Sequence, residues 1–364
     1  MVYNVIGLMS GSSLDGLDIA FCQLTEISGK WTYEILRADC ITYPDAIAAD
    51  LKNAANISVP GFLRLHSSYG HYLGEQVNKF IAAHSLEHKV HFIASHGHTV
   101  WHEPAAHTTS QIGDGAAIAA WTLLPVVSDL RAMDVALGGQ GAPIVPIADK
   151  YLFGDYDFCL NIGGIANVTI NGAEPIAFDI CPANQLLNYF ANKAGKEYDE
   201  NGALARTGTF EGFLLDKIGS LDFYEQPAPK SLHNGFVHEV VLPHFAEDLS
   251  VADALATAVQ HIAEQIANAL ITYRNPLEEQ KMLVTGGGAL NGFLIEKIDE
   301  ALNKGNSNHI EAIVPNEQTV QYKEALAMAL IGTLRWREET NVLGSVTGAG
   351  KNSVNGAMWL PPVD

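Results

Sequence analysis

The sequence is poor in basic residues and in long hydrophobic runs, and each scarcity excludes a class of protein. Lysine and arginine number 21 against 41 aspartates and glutamates, so the formal net charge is −20 at pH 7. A surface this acidic repels phosphate backbones and anionic lipids, so we predict no nucleic-acid partner and no membrane partner. No run approaches the roughly 20 apolar residues that cross a bilayer. The N-terminal apolar run is short and has no basic leader, so we expect a cytoplasmic protein.

Cysteine is also scarce, with four residues in the chain: Cys22, Cys40, Cys159 and Cys181. All four have apolar neighbours in the sequence, and no two are separated by two residues. This spacing does not fit a zinc knuckle, so we predict four buried free thiols in a reducing compartment.

The 364 residues, of which 48% are apolar and 17% charged, suffice for about two domains with cores of their own. Predicted strands alternate with predicted helices along the whole chain, which indicates an α/β protein. The predicted strands are 3–9, 17–24, 91–94, 158–162, 166–170, 176–178 and 282–285, and the predicted helices are 61–84, 251–273, 291–302 and 323–336.

Two segments about 150 residues apart, 5–18 and 159–169, share the plan of strand, tight polar turn and strand. The repetition fits a duplicated architecture of two lobes with a cleft between them. It fits equally a coincidence, because hairpins with glycine turns are common. Spacing alone leaves both interpretations open.

Three glycine clusters follow apolar strands, at 10–18, 161–167 and 285–291. Glycine lets backbone amides approach an oxyanion closely, and an aspartate in such a turn can hold Mg²⁺ on phosphates. The third cluster opens a helix, whose N-terminus favours a phosphate. Any one of these turns could be an ordinary hairpin, but three together indicate a nucleotide site.

The segment 95–104 is rich in histidine and allows two interpretations. His96, His98, His102 and Glu103 could ligate zinc, although their spacing fits none of the usual zinc signatures. Alternatively, Trp101 offers an apolar face to a sugar ring, while neighbouring histidine and threonine side chains bond its hydroxyls.

Three charged residues also have competing interpretations. Asp114 lies in a tight turn, 111–116, that leads into a further short helix, and it either caps that helix or binds a ligand. Arg131, between two acids and before a glycine-rich loop, is either a clamp on a substrate or half of a surface salt bridge. Asp179 ends a predicted strand and is either a general base or a helix cap.

Taken together, several segments resemble the anhydro-N-acetylmuramic acid kinases, in an order and spacing that match along almost the entire chain. The most specific are Met-Ser-Gly-Ser-Ser-Leu-Asp-Gly, Ser-His-Gly-His-Thr-Val-Trp-His and Gly-Gly-Gln-Gly-Ala-Pro. The matching segments are 9–18, 95–102, 111–116, 127–146, 161–169, 179–184, 199–208, 286–291 and 345–349.

The resemblance implies the two-lobe actin/hexokinase/Hsp70-like fold, a duplicated ribonuclease H-like α/β fold with a central cleft. We expect residues 1–130 with about 342–364 to form the first lobe, which carries the phosphate hairpin and the sugar loop. Residues 131–341 then form the second lobe, with the second glycine hairpin, the catalytic aspartate and the nucleotide-side glycine loop. The resemblance further implies a cytoplasmic homodimer.

The implied reaction uses ATP and water to convert 1,6-anhydro-N-acetylmuramic acid into N-acetylmuramic acid 6-phosphate and ADP, in the recycling of murein. By similarity, Asp179 takes a proton from the attacking water. The residues implied to bind the sugar are His98, Thr99, Arg131 and Glu324. Those implied to bind ATP phosphates are Gly11, Ser12, Ser13, Leu14, Asp15, Gly16, Asp18, Gly163, Gly164, Gly286, Gly287 and Gly288, with Asp15 and Asp18 near a Mg²⁺ cofactor.

The chain departs from the family's usual motifs at two places. Cys181 and Ala183 stand where the family has glycines, which narrows the approach of the backbone to a ligand. After Lys230-Ser231, the usual Thr-Gly-Arg-Glu is replaced by Leu-His-Asn. These changes keep two alternatives in view: a kinase of the same fold for another sugar, and a non-catalytic nucleotide- or sugar-sensing protein.

Overall fold

The computed structural model describes residues 1–11, 14, 16–233, 235–275, 277–305 and 309–362. The predictions for Ser12, Ser13 and Asp15 therefore lie outside the described residues. The chain divides into two compact units: Met1–Leu152 with Tyr322–Asp364 form the first, and Phe153–Gln321 form the second. These divisions differ from the lobe ends predicted near residues 130 and 342, and the assignment of functional lobes stays a prediction.

Every predicted strand and helix is present, with ends that differ by a few residues or more. The strands of the described chain are β1 (Val2–Ser10), β2 (Leu17–Ile27), β3 (Lys30–Ile41), β4 (Phe92–Glu103), β5 (Thr108–Ile112), β6 (Val126–Ser128), β7 (Phe158–Ile162), β8 (Ile165–Ile170), β9 (Ile176–Pro182), β10 (Gln280–Thr285), β11 (Ile310–Ile313) and β12 (Ala357–Trp359). The helices are α1 (Asp45–Asn53), α2 (Val59–Ala83), α3 (Gly115–Thr122), α4 (Ala132–Ala136), α5 (Pro146–Leu152), α6 (Asn184–Lys193), α7 (Gly212–Gly219), α8 (Asp222–Glu225), α9 (Val251–Leu270), α10 (Gly292–Asn303), α11 (Glu317–Trp336) and α12 (Gly344–Thr347). Five of these strands, β3, β5, β6, β11 and β12, and several short helices were not among the predicted ranges.

The two sheets share one strand order. The first unit has β12-β6-β4-β1-β2-β3, with β5 paired to β4, and the second has β11-β10-β7-β8-β9. In the first sheet β1, β2 and β3 are antiparallel neighbours, and β4 and β6 continue in parallel on the other side of β1. In the second sheet β7, β8 and β9 are antiparallel neighbours, and β10 and β11 continue in parallel on the other side of β7. The α/β class and the duplicated ribonuclease H-like plan are therefore confirmed. The two glycine hairpins, β1–β2 and β7–β8, occupy equivalent places.

Helices cover both faces of the first sheet, because neighbouring strand residues point to opposite sides. Ile6 and Leu8 of β1 pack in one core with Leu73 and Val77 of α2. Gly7 faces the other way, against α11. A side chain at Gly7 would overlap the backbone carbonyl of Ala325, so only glycine allows this helix to lie directly on the strand.

The core of the second unit packs α6, α9 and α10 against its sheet. Helix α9 is buried over most of its length, which is typical of a central helix. Strands β7 and β10 are parallel neighbours, and Asn161 pairs with Thr285 at their carboxyl ends. The second and third glycine clusters therefore begin side by side.

Two further expectations concern cysteines and membrane helices. Cys22, Cys159 and Cys181 are buried free cysteines, but Cys40 is exposed. The prediction for Cys40 is wrong because β3 is an edge strand, so its residues are covered less than those of a central strand.

Within the described ranges, no helix is both long enough and apolar enough to span a membrane.

Candidate functional site

The predicted phosphate hairpin joins β1 to β2 in the first unit. The amide of Leu14 donates to the carbonyl of Gly11 at 3.3 Å, and Leu14 has a left-handed φ of 61°. A side chain at Gly16 would lie 2.8 Å from the carbonyl oxygen of Ile41, so the turn passes close to β3. Asp18 follows on β2, half-buried and paired in register with Met9. The described part of the turn is thus a tight backbone loop beside one carboxylate.

A chain of buried hydroxyl groups leads to His98. The hydroxyls of Tyr43 and Tyr69 are 2.8 Å apart, and that of Tyr43 donates to the Oγ of Ser10 at 2.7 Å. This Oγ lies 3.0 Å from Nδ1 of His98, whose pKa is lowered by burial. We infer that the neutral ring accepts at Nδ1 and carries its proton on Nε2. The sequence indicated Tyr69 as a core residue and gave no sign of the polar chain.

Two hydrogen bonds hold Arg131 in the first unit. Its Nε donates to Nε2 of His96 at 2.8 Å, and its Nη1 donates to the carbonyl of Gly141 at 2.5 Å. Burial lowers the pKa of Arg131 to about 10, against the opposing charges of Glu324 and Asp134. The guanidinium is therefore fixed in place rather than part of an exposed ion pair.

Glu324, on α11, is the acid whose charge most supports Arg131. Burial raises the pKa of Glu324, while Arg131 and Lys323 lower it. Thr99, at the next position after His98 on β4, is half-buried and accepts from the side-chain amide of Gln111 at 3.3 Å. The predicted sugar residues thus all belong to the first unit, and Arg131 and Glu324 interact electrostatically.

The zinc interpretation of residues 95–104 is not supported. Among the residues that the structure describes, no group of three or more histidines, cysteines or acids could hold a metal ion. Nε2 of His96 accepts from Arg131, and its Nδ1 bonds the carbonyl of Gly97 at 2.9 Å. Nδ1 of His102 bonds Thr109 instead. Trp101, whose surface is 49% exposed, stays available for the alternative interpretation.

Asp114 is a helix cap, as one of its two interpretations stated. Its carboxylate accepts from the amide of Ala116 at 2.9 Å at the start of α3.

Asp134, in contrast, is a polar residue whose role the sequence did not reveal. Its buried carboxylate accepts from the hydroxyl of Thr347 and from the amide of Gly141, both at 2.7 Å. It thereby joins two of the motif segments, 127–146 and 345–349.

Asp179 lies within β9 of the second unit. The sequence predicted a strand that ends before it, but β9 continues to Pro182 because Cys181 and Pro182 still pair with β8. The Oδ2 of Asp179 accepts from the amide of Leu232 at 2.9 Å. Burial raises the pKa of Asp179, and the hydrogen bond from Leu232 partly opposes this effect. The result is a half-buried carboxylate with a fixed orientation.

The second and third glycine clusters meet at the start of α6. The carbonyl of Gly164 accepts from the amide of Ala183 at 2.9 Å, and that of Gly163 accepts from Asn184 at 3.1 Å. Gly286 has a φ of 81°, and a side chain there would lie 2.6 Å from Oδ1 of Asn161. Only glycine therefore allows the two loops to touch.

A cavity of about 510 Å³ opens beside these loops in the second unit. It is lined by polar side chains and by the backbone of the third glycine cluster, and Leu187, Tyr198 and Leu290 add apolar surface. This mixture suits a ring with polar edges. The lining includes Asn184, Asn188, Asn201, Gly287, Gly288 and Asn291. The glycines belong to the cluster that the sequence predicted for the nucleotide, whereas the asparagines were not among the predicted site residues.

The described site residues therefore form two sets. The phosphate hairpin and the predicted sugar residues lie in the first unit. Asp179 and the other two glycine clusters lie in the second.

Comparison with known proteins gives concordant results. The sequence model of the anhydro-N-acetylmuramic acid kinase family matches residues 3–361. A protein of that name from Sulfurovum sp. is 31% identical over 98% of this chain and 98% of its own length. Another from Photobacterium profundum is 33% identical over 98% of this chain and 99% of its own.

Among solved structures, the activator of the 2-hydroxyisocaproyl-CoA dehydratase from Clostridium difficile with bound ADPNP matches with a TM-score of 0.46. The identity is 14%, and the match covers 93% of this chain and 96% of that one. A likeness of this degree assigns no function. The family model and the full-length relatives do, and they confirm the resemblance read from the motifs: the chain is a sugar kinase that belongs to the anhydro-N-acetylmuramic acid kinase family.

Proposed function

We propose that the chain opens 1,6-anhydro-N-acetylmuramic acid with water and phosphorylates its O6 from ATP, giving N-acetylmuramic acid 6-phosphate and ADP. The observation that carries the proposal is Asp179, a half-buried carboxylate oriented by the amide of Leu232 in a member of this kinase family. A general base needs this combination of fixed direction and raised pKa.

Asp179 acts on the water in this mechanism. With Oδ2 bonded to Leu232, Oδ1 is the oxygen we assign to accept the proton as the water oxygen bonds to C1. The bond from C1 to O6 breaks, and the electron pair stays on O6. O6 then bonds to the γ-phosphorus as the bond from that phosphorus to the β-phosphate oxygen breaks, which releases ADP.

The first unit would hold the sugar. We propose that the guanidinium of Arg131 pairs with the lactyl carboxylate, since charge-assisted bonds of this kind are strong and directional. Nε2 of His98 would donate to a sugar oxygen, because its Nδ1 already faces Ser10. Thr99 and Glu324 would bond further hydroxyl or amide groups.

The glycine clusters would hold the nucleotide. We propose that the described hairpin residues Gly11, Leu14 and Gly16, with Gly163, Gly164 and Gly286–Gly288, approach the phosphates with their amides. The nucleoside would occupy the 510 Å³ cavity of the second unit. Ser12, Ser13 and Asp15 are assigned to the phosphates from the motif alone.

Mg²⁺ is the expected cofactor. An ion bound mainly to phosphates and water needs only one or two carboxylates, and the half-buried Asp18 fits that requirement. Asp15 would be the second carboxylate, again from the motif. Bound Mg²⁺ would neutralise the phosphate charge that builds up during transfer.

Steady-state turnover tests the proposal, with purified chain, ATP, Mg²⁺ and the anhydro sugar. We expect Asp179→Asn to lower kcat by about 10³-fold or more while ATP binding stays unchanged, because the amide cannot accept the proton. Asp216→Asn, at an exposed acid of α7 in the same unit, is the matched control. Equal rates in wild type and Asp179→Asn would refute the role of Asp179.

Cys181 and Ala183, which replace two glycines of the family's motif, are the reason to test a second candidate function, a kinase for another sugar. Both side chains are buried on either side of Pro182, next to Asp179. Turnover with a panel of N-acetylated and plain hexoses decides between the candidates, because the leading proposal requires a marked preference for the anhydro sugar. Tight ATP binding without turnover on any sugar would instead favour a sensor.

We also propose that the protein is cytoplasmic and a homodimer. Both follow from the family and from the intracellular origin of ATP rather than from an observed interface. Sedimentation equilibrium should give twice the chain mass at micromolar concentration, and a single-chain mass would refute the dimer.

A further inference from the structure

The carboxylate of Asp179 lies on a strand edge that another segment covers. Strand β9 is the outer strand of its sheet and pairs with β8 on one side. Residues 230–232 lie along the other side: the amide of Asp179 donates to the carbonyl of Lys230 at 2.9 Å, and the amide of Leu232 donates to Oδ2 of Asp179 at 2.9 Å. The direction of the carboxylate therefore depends on where this segment lies.

The segment is anchored by the side chain of Lys230. Its Nζ donates to the carbonyl of Phe223 at 3.0 Å and to that of Tyr224 at 3.2 Å. It also lies 4.6 Å from the centre of the Phe223 ring, within range of a cation–π interaction. Both carbonyls belong to α8, so one ammonium group ties the segment beside Asp179 to this short helix.

The anchor point itself is buried and fixed. The side chain of Phe223 belongs to the core of the second unit. The hydroxyl of Tyr224 lies 2.9 Å from Nε2 of His261, which is fully buried on α9. Lys230 therefore connects the segment at the edge of β9 to α8, and α8 is in turn bonded to the central helix α9.

From these contacts we infer that Lys230 is a positioning residue for the proposed base: its ammonium holds residues 230–232 so that the amide of Leu232 fixes Asp179 toward the water. The inference rests on the proposed function, since it concerns the same reaction. Lys230 itself does not touch the reacting atoms in this account. The other titratable neighbour of Asp179 is Cys181, which is buried two residues further along β9.

The test compares Lys230→Met, Lys230→Arg and wild type in steady-state kinetics against pH. We expect Lys230→Met to lower kcat by at least ten-fold and to leave KM for ATP within two-fold. Its acid limb in kcat/KM should move up by about one pH unit, because a hydrogen bond that favours the ionised carboxylate is lost. Lys230→Arg keeps the charge and the donors, so it should restore most of the rate.

Lys193→Met is the matched control. Lys193 also lies over an aromatic ring, 4.7 Å from the centre of Tyr189, but it ends α6 and its second ring contact is to Phe190 of the same helix. We expect wild-type kcat and an unmoved acid limb. Should Lys230→Met fail to fold, Leu232→Pro removes the same amide donor while keeping the lysine, and it should shift the limb in the same direction.

A ¹³C NMR titration of the Asp179 carboxyl in the full chain separates this inference from the proposed function. A higher Asp179 pKa in Lys230→Met supports positioning even if the wild type turns over no anhydro sugar, in which case only the proposed function fails. An unchanged Asp179 pKa in Lys230→Met, with or without a loss of rate, would overturn the positioning role and leave a structural one.

Discussion

Nε of Arg131 donates to Nε2 of His96 at 2.8 Å, so a half-buried arginine takes a neutral histidine as its acceptor. The bond requires His96 to carry its proton on Nδ1, where it donates to the carbonyl of Gly97. Burial, together with the charge of Arg131, lowers the pKa of His96 to about 3. Because the ring does not ionise near neutral pH, it fixes the plane of the guanidinium without repelling it.

This relationship predicts the behaviour of Arg131→Lys. Lysine keeps the charge but has no planar fork, so it cannot bond His96 and Gly141 as the guanidinium does. Loss of a charge-assisted bond costs about 1.5–3 kcal/mol, which is roughly 10- to 150-fold in affinity. We expect KM for the anhydro sugar to rise by at least ten-fold in steady-state assays, with KM for ATP unchanged.

Arg37→Lys is the control for that substitution. Arg37 is an exposed arginine on β3 of the same unit, and its guanidinium donates to the adjacent carbonyl of Leu36. It should leave both KM values as in wild type. A sugar KM that Arg131→Lys does not change would remove Arg131 from the sugar site.

The fold could be predicted largely because its signals are local. Short apolar, β-prone runs gave β1, β2, β7 and β10, and the glycine turns gave both hairpins. The duplication was undecided from spacing alone, since it depends on pairing between distant strands. Only the shared strand order of the two sheets settled it.

The site was predicted less completely. A glycine cluster after a strand and an acid at the end of an apolar strand stand out in a sequence, which is why Gly286 and Asp179 became candidates, and their roles stay predictions. Ser10, Tyr43 and Asp134 were missed, because each bonds a residue from 33 to 213 positions away. The cap at Asp114 is a bond over two residues, which is why the sequence already included it as one of two interpretations.

His261 predicts an acid-labile second unit. It is buried on α9, and burial lowers its pKa from 6.5 to about 3. Between these values the unfolded chain binds a proton that the native unit does not, so stability falls as pH falls, by about 1.4 kcal/mol per pH unit at most. His261→Gln removes this contribution and still offers Tyr224 a partner. We expect a shallower loss of stability between pH 6.5 and 4.

Circular dichroism is the suitable measurement for this variant, because all five tryptophans, at 31, 101, 121, 336 and 359, lie in the first unit. His238→Gln, at an exposed histidine of the second unit, is the matched control and should keep the wild-type slope. Parallel pH profiles for wild type and His261→Gln would contradict the prediction.

Lys323 and Asp149 form a buried ion pair in the first unit, 2.7 Å apart, with side chains 6% and 3% exposed. Removal of one partner leaves a buried charge, which costs about 3–5 kcal/mol. We expect Lys323→Met to destabilise the first unit by that amount in urea unfolding followed by tryptophan fluorescence. Lys323→Met with Asp149→Asn should be more stable than Lys323→Met alone.

An exposed pair of the same unit provides the comparison. Lys79 and Glu75 are 2.8 Å apart with side chains 62% and 49% exposed, so solvent screens their attraction. Lys79→Met should change the free energy of unfolding by about 0.5 kcal/mol or less. Similar losses for the two lysine substitutions would show that burial of the Lys323 pair does not matter.

Gly286 allows the last prediction, which concerns the nucleotide. Its φ of 81° is unfavourable for other residues, and a side chain there would lie 2.6 Å from Oδ1 of Asn161 and 2.7 Å from the carbonyl oxygen of Ile162. Gly286→Ala must therefore push the third glycine cluster away from the second hairpin. With a ψ of 165°, this backbone conformation is essentially restricted to glycine, and it costs roughly 1–3 kcal/mol in another residue.

Since the proposed nucleotide cavity is built on this junction, we expect Gly286→Ala to weaken binding of a non-hydrolysable ATP analogue with Mg²⁺ by at least about ten-fold in calorimetry, equivalent to about 1.4 kcal/mol. Gly172→Ala is the matched control, because Gly172 follows β8 in the same unit and nothing lies within 4 Å of an added side chain. It should bind the analogue as wild type does. Equal affinities for the two variants would place the nucleotide away from the junction of these loops, and the assignment of Gly163, Gly164 and Gly286–Gly288 to its phosphates would fail.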